Sequence, residues 1–312
     1  MEQRNIGKSG LRVSLIGLGG NNFGGVLDLE ASRAIVDTAL DLGVNFIDTS
    51  NTYGAPKGAS EEVLGQLLAS RRHDVVIATK CGKALDESGR LKGGSRRTIM
   101  TAVEESLRRL RTDYIDLYYM HDPDPATPID ESLRALDDLV KQGKVRYIGC
   151  SNFAGWQVMD ASWTAKVAGL NGFIVCQSEY NLLARAVEQE LVPALASHGL
   201  GLIPYFPLAS GLLTGKYRRD SMPDGARLTE QAWFANYQLS DENWRKVEAL
   251  SVFCTGAGRS MTELALSWLA HRPTVASIIA GATTTGQLRQ NIAATQWAMS
   301  DADILEIDRV AA

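Results

Sequence analysis

Eight short apolar runs, each followed by a helical pattern or a polar loop, constrain this chain more than any other feature. They are Leu15–Gly19, Val44–Asp48, Val75–Lys80, Ile115–His121, Val145–Ser151, Phe173–Ser178, Leu200–Tyr205 and Val275–Ala280. Apolar residues dominate each run, as expected for parallel strands buried on both faces. Between them a 3.6-residue period runs near Leu29–Leu42, Arg97–Leu110, Ile129–Lys141, Trp156–Ala168, Ala186–His198 and Thr285–Trp297. Gly43, Gly143, Gly169 and Gly199 fall just past helices, the place of a left-handed C-terminal cap. Strand starts lie 27 to 40 residues apart until the last gap of 75. That gap holds an insertion over Ser210–Ser240, then helices near Asp241–Cys254 and Met261–Ala270. Six strands would suit a doubly wound sheet. Eight near-regular units predict a (β/α)8 TIM barrel, one domain over residues 1–312, with a large loop after strand 7. Weak alternation around Gly7 and Gly10 predicts a β-hairpin before the first barrel strand. Gly7-Lys8-Ser9 lacks the glycine five residues earlier and the preceding strand of a phosphate loop.

Apolar residues make up 45% of the chain and charged ones 22%, so a large core is available and disorder is not expected. The net charge of −4, without any Lys/Arg block, leaves nucleic acid no electrostatic footprint. Cys81, Cys150, Cys176 and Cys254 form no C-x-x-C pair and read as reduced thiols. With no signal-like N-terminus and no membrane-length apolar run, the expectation is a soluble cytoplasmic protein without membrane partners.

Barrel chemistry sits at the C-terminal ends of the strands. Strand 2 ends in Asp48, with Tyr53 in the polar loop behind it; strand 3 ends in Lys80 and strand 4 in His121. A lone acid or imidazole there is ordinarily a cap or a structural hydrogen bond. Lys80 is different, because a cation closing an apolar strand needs a partner, and Asp48 is the nearest. A free phenol with a pKa of roughly 10 is a poor acid near neutrality, and an adjacent ammonium lowers that value. Tyr53 could then give a proton to a carbonyl oxygen that His121 orients. No Ser or Cys stands with a base at motif spacing, so a cofactor must bring the electrons.

Asp48, Tyr53, Lys80 and His121 resemble the catalytic tetrad of the aldo-keto reductases. The flanking runs Gly43-Val44-Asn45-Phe46-Ile47-Asp48-Thr49, Gly143-Lys144-Val145-Arg146-Tyr147-Ile148-Gly149 and Ser151-Asn152-Phe153 are similar too. The resemblance covers nearly the whole chain and is nearest to the bacterial branch that is similar to potassium-channel β-subunits. It implies NAD(P)H-dependent reduction of aldehydes or ketones, or the reverse oxidation of an alcohol or sugar. Tyr53 is then the proton donor, hydride passes directly from the nicotinamide, and no metal is needed.

The same resemblance assigns cofactor contacts. Ser151, Asn152 and Gln177 would bind the carboxamide, and Tyr205 would stack on the nicotinamide. Gly20 and Asn21, with Asp48, would line its pocket. Pro207, Leu208, Ser210 and Gly211 belong to a pyrophosphate loop, with Lys216 and Arg227 placed to meet phosphate. Gly281, Thr283, Gln287, Gln290 and Asn291 would hold the adenosine end. Basic residues for a 2′-phosphate are missing at Gly281 and Gln287; with Lys216 and Arg227 compensating, NADP(H) is expected over NAD(H). Asn22, Phe23, Trp156 and Trp233 are candidates for the substrate wall. Cys81, beside Lys80, faces away or makes the enzyme sensitive to oxidation.

Two rival readings stand beside this one. A metal hydrolase would want a His-x-His after strand 1, which this chain lacks. A cofactor-binding, redox-sensing regulatory protein with slow turnover would share the same residues. The substrate and any homo-oligomeric state are left open.

Overall fold

The structure is a computed structural model that describes residues 1–84 and 88–311. It opens with a hairpin of β1 (Gln3–Asn5) and β2 (Arg12–Ser14). The chain continues through β3 (Ile16–Gly19), α1 (Leu29–Asp41), β4 (Phe46–Asp48), α2 (Ala59–Leu67), β5 (Val76–Cys81), α3 (Arg96–Leu110), β6 (Ile115–Met120) and α4 (Ile129–Lys141). Then come β7 (Val145–Ser151), α5 (Gly155–Ala168), β8 (Val175–Glu179), α6 (Leu191–His198) and β9 (Gly201–Tyr205). The loop after β9 carries α7 (Arg227–Glu230), α8 (Ala232–Gln238), α9 (Asp241–Ala257) and α10 (Met261–Ala270). β10 (Ile278–Ala280), α11 (Thr285–Ala293) and α12 (Asp301–Val310) follow.

Strands β3 to β10 form one parallel sheet in the order β10-β3-β4-β5-β6-β7-β8-β9. Its seam is bridged at Leu202, whose N–H donates to Thr274 O at 2.7 Å and whose carbonyl accepts from Ala276 N–H at 2.9 Å. The eight βα units thus build the expected barrel, ringed by helices. The interior is packed with Phe46, Ala78, Leu117, Tyr119, Val175 and Ile203. The larger of these contribute about 1.5–3 kcal/mol apiece when fully buried. Gly149 makes room for them: a Cβ there would lie 2.7 Å from Val175 Cγ1 and 2.9 Å from the Tyr119 ring. At the N-terminal end the hairpin plugs the barrel with Ile6 and Val13, and Lys8 N–H donates to Gly199 O at 2.8 Å. The opposite end stays free for chemistry.

Some boundaries differ from expectation. β4 starts at Phe46 rather than Val44, β8 runs Val175–Glu179, and α11 stops at Ala293 short of Trp297. Four helices were not expected from the periodicity: α2, α12, and α7 and α8 inside the insertion after β9. In α2 a glycine, a poor helix former, occupies position 65 because α3 passes close: a Cβ would sit 2.3 Å from Arg109 O. The same helix buries Glu61, which accepts from Arg109 Nε at 2.6 Å and from Thr79 Oγ1 at 2.6 Å. A carboxylate at an inward position breaks the apolar period. α12 buries just Ile307.

Candidate functional site at the mouth of the barrel

Successive strand residues point to opposite faces, so the residue two places beyond an inward filler also points in. Phe46, Ala78, Tyr119, Val175 and Ile203 fill the barrel. Two places on stand Asp48, Lys80, His121, Gln177 and Tyr205, and Ser151 follows Gly149 in the same way. The candidate residues thus form the next layer of the barrel, polar where the layers below are apolar. Cys81, one place past Lys80, points the other way into the outer core, and burial pushes its thiol up to about 12. A protonated, enclosed thiol is no oxidation sensor.

Lys80 is fully buried. Its ammonium donates to Asp48 Oδ2 at 2.7 Å and to Thr49 O at 2.8 Å, and lies 3.5 Å from the Tyr53 hydroxyl. Asp48 Oδ1 accepts from Gln177 Nε2 at 2.9 Å, so both carboxylate oxygens are engaged. Tyr53 reaches the same spot from the loop after β4, and its ring meets that of His121 edge-on with centroids 6.1 Å apart. Ser50 Oγ stands 3.2 Å from His121 Nδ1. Asn152, at φ 62, donates to His121 O at 3.0 Å and to Asp122 Oδ1 at 2.9 Å, and accepts from Tyr205 OH at 2.8 Å. Asparagine tolerates this left-handed conformation better than most residues. Thr49, Ser50 and Asp122 were not singled out from sequence. A run of three buried polar residues, Thr49-Ser50-Asn51, straight after a strand-end acid was the available signal.

Burial raises the Tyr53 pKa, Lys80 lowers it, and the net lies above the ordinary phenol value. The expected lowering by the ammonium is thus present but outweighed by desolvation, which leaves a protonated phenol at neutral pH. Lys80 is pushed down by burial and pulled up more strongly by Asp48 and then Tyr53, so it stays charged. Burial, with help from Lys80 and Lys83, drives His121 down to about 2. The imidazole is therefore neutral and available as a hydrogen-bonding group.

A folded-state value below the unfolded one means that acid protonates the unfolded chain first. Stability is then lost as pH falls from about 6.5 toward 2. Urea unfolding at pH 7 and pH 5 is expected to show His121→Gln losing less stability over that interval than wild type. Equal losses would mean that the imidazole titrates normally.

Around this layer the loops assemble a cleft. After β9 the backbone turns through positive φ at Phe206, Ala209, Ser210 and Gly211, and Ser210 Oγ is buried without a hydrogen-bond partner among the described residues. Arg227 donates to Asn22 Oδ1 at 3.1 Å, and Asn22 Nδ2 donates to Ala282 O at 3.3 Å. Asn22 thus ties the loops after β3, β9 and β10 together and is not a substrate wall. Among the described residues Arg227 has no acidic partner, and burial lowers its pKa. Lys216 is exposed, its ammonium 5.0 Å from the Tyr217 ring. Gly20 lies against Asp48, since a Cβ there would meet Asp48 O at 3.2 Å, while Asn21 is exposed beside it. Thr283 N–H donates to Gln287 Oε1 at 2.8 Å at the start of α11, and the buried Asn291 donates to Gly281 O at 3.4 Å. Gln290 faces solvent.

The remaining substrate-wall candidates separate. Phe23 is fully buried in the core and unable to touch a ligand at the mouth. Trp156 is 63% exposed in the first turn of α5, on the side opposite Val158, Ala161 and Ala165, and among the described residues makes no ring contact with the mouth aromatics. Trp233 does join them: Tyr205, Phe206, Phe234, Trp233 and Tyr237 form a chain of ring contacts with centroids 4.7 to 5.9 Å apart. Tyr237 OH donates to Glu179 Oε2 at 2.7 Å and ties α8 to the end of β8.

An eight-stranded βα barrel that gathers an acid, an ammonium, a phenol and a neutral imidazole at one mouth describes a class of oxidoreductase scaffold. Residues 15–312 match the aldo/keto reductase family, and the chain belongs to it. A probable voltage-gated potassium channel subunit beta of Arabidopsis thaliana is 38% identical over 304 residues, covering 94% of this chain and 91% of that protein. The uncharacterized oxidoreductase YrpG of Bacillus subtilis is 38% identical over 316 residues, 98% of this chain and 94% of the relative. The L-glyceraldehyde 3-phosphate reductase of Escherichia coli K12 is 34% identical over 325 residues, 99% and 92%. Among the described residues no helix is long and apolar enough to cross a membrane.

Proposed function

We propose that the mouth layer is the catalytic centre of an NAD(P)H-dependent reductase of aldehydes or ketones, with Tyr53 as the proton donor. The observation that carries this reading is Lys80, bonded to Asp48 and 3.5 Å from the Tyr53 hydroxyl in an otherwise apolar barrel. Asp48 fixes the ammonium and balances its charge; the ammonium stabilises the phenolate left when the proton goes to the carbonyl oxygen. Neutral His121, held through Ser50 at Nδ1, offers its other ring nitrogen to the carbonyl and sets its orientation. A bound nicotinamide nucleotide supplies the hydride.

The residues present fit such a nucleotide. Tyr205 offers a ring face beside Asn152, and the unpartnered Ser210 hydroxyl lies in a loop whose backbone turns tightly enough to approach an anion. Arg227 is a part-buried guanidinium without an acid, a costly arrangement that a phosphate would relieve. Gln177 spends its amide N–H on Asp48, which leaves its carbonyl oxygen for the carboxamide. A substrate screen by NADPH absorbance, in both directions and including L-glyceraldehyde 3-phosphate, tests the activity. Absence of turnover with every carbonyl tried, despite tight nucleotide binding, would favour the regulatory reading instead.

Binding of NADPH more tightly than NADH follows if Arg227 meets the extra phosphate. Arg227→Ala is expected to weaken NADPH at least about 10-fold, the scale of one charge-assisted hydrogen bond, and NADH much less. Fluorescence titration of both nucleotides checks it, and tighter NADH in the wild type would end the NADP(H) assignment.

A further inference from the structure

Helix α5 is apolar on two sides. Gly155, Val158, Ala161 and Ala165 face the barrel. On the outer side Trp156, Trp163 and Val167 are 63%, 54% and 82% exposed. Their spacings of seven and four residues put them on one helical face. Large apolar side chains exposed together on one helical face ordinarily mark a contact surface. The neighbouring α6 adds to the patch, because its residues Leu191–Ser197 include no charged side chain, and Pro193, Ala196 and Ser197 are exposed. The outer faces of α3 and α4 are, by contrast, studded with arginines and carboxylates.

The charges that α5 does carry are arranged in a self-complementary way. Asp160 and Lys166 are both exposed, and among the described residues neither forms an ion pair; the Lys166 ammonium lies over the Trp163 ring, 4.7 Å from its centroid. They lie three residues before and three residues after Trp163. If two copies of α5 pack antiparallel about a two-fold axis at Trp163, position 160 of one comes level with position 166 of the other. Met159 comes level with Val167 in the same operation. A closed two-fold contact requires this reciprocity, residue i meeting j while j meets i.

We propose that the α5 face is a two-fold self-association surface, in which a second copy of this chain covers Trp163 and pairs each Asp160 with the other protomer's Lys166. The surface lies on the outer ring of helices and includes none of the catalytic or nucleotide-contact candidates, so it is independent of the catalytic reading.

Sedimentation velocity of the full chain at micromolar concentration tests it. Wild type is expected to sediment as a dimer of the 33.9 kDa chain. Asp160→Lys sets like charges opposite one another, and Trp163→Glu puts an acid on the axis. Each is expected to weaken association by about 100-fold or more. The double exchange Asp160→Lys with Lys166→Asp restores opposite charges and is expected to restore the dimer. Unchanged turnover and circular dichroism in all three variants show that the fold is intact. A monomeric wild type, a dimer indifferent to both single changes, or a double exchange that fails to rescue would each overturn the proposal.

Discussion

Tyr53→Phe is expected to lower carbonyl reduction by about 10²- to 10⁴-fold, the usual contribution of a positioned general acid. The variant keeps the ring, and with it the edge contact to His121 at 6.1 Å. Lys80 keeps its bonds to Asp48 and Thr49 O, so the barrel layer loses one hydroxyl and nothing else. Tyr205, Ser210 and Arg227 are untouched, and nucleotide affinity is expected to stay within about twofold, well under the 1.4 kcal/mol of a tenfold change. A loss confined to kcat, with the nucleotide dissociation constant preserved, separates proton donation from a damaged pocket.

Lys80→Met is expected to be as severe for turnover and far more severe for the fold. It leaves the Asp48 carboxylate buried, with Gln177 as its remaining side-chain donor. Breaking a buried pair on one side costs about 3–5 kcal/mol. It also removes the group that holds the Tyr53 pKa down against burial. The phenol becomes harder to ionise, so in the alcohol-oxidising direction, where phenolate is the base, activity shifts to higher pH. Adding Asp48→Asn to Lys80→Met removes both charges and is expected to recover much of the stability without recovering turnover. Urea unfolding and steady-state rates on the three proteins measure the two effects apart. Full recovery of turnover in the double variant would show that the ammonium has no catalytic role.

The legible part of this fold was its strands. Both-face burial writes them as apolar runs, and the period of two then determines which side chains share a layer. That is why Asp48, Lys80 and His121 could be placed together from the chain alone. Helix α2 was hidden because its inward positions hold Glu61 and Gly65, chosen for an ion pair and a close approach rather than for apolarity. The loops were less legible still. Phe23, Asn22 and Trp156 share the neighbourhood of the mouth in sequence, yet one entered the core, one became a strut and one faces outward. Loop side chains obey no period, so only tertiary packing decides their direction. The outcome at Tyr53, where burial outweighs the ammonium, was equally out of reach, since desolvation depends on everything packed around the ring.

The most direct test of the phenol as proton donor is the pH profile of kcat/KM for aldehyde reduction, wild type beside Tyr53→Phe. A general acid works while protonated, so the wild-type rate is expected to hold through neutral pH and fall in the alkaline range where the phenol ionises. The residual rate of Tyr53→Phe is expected to show no such fall. If the variant retains the same alkaline decline, the proton comes from somewhere other than Tyr53.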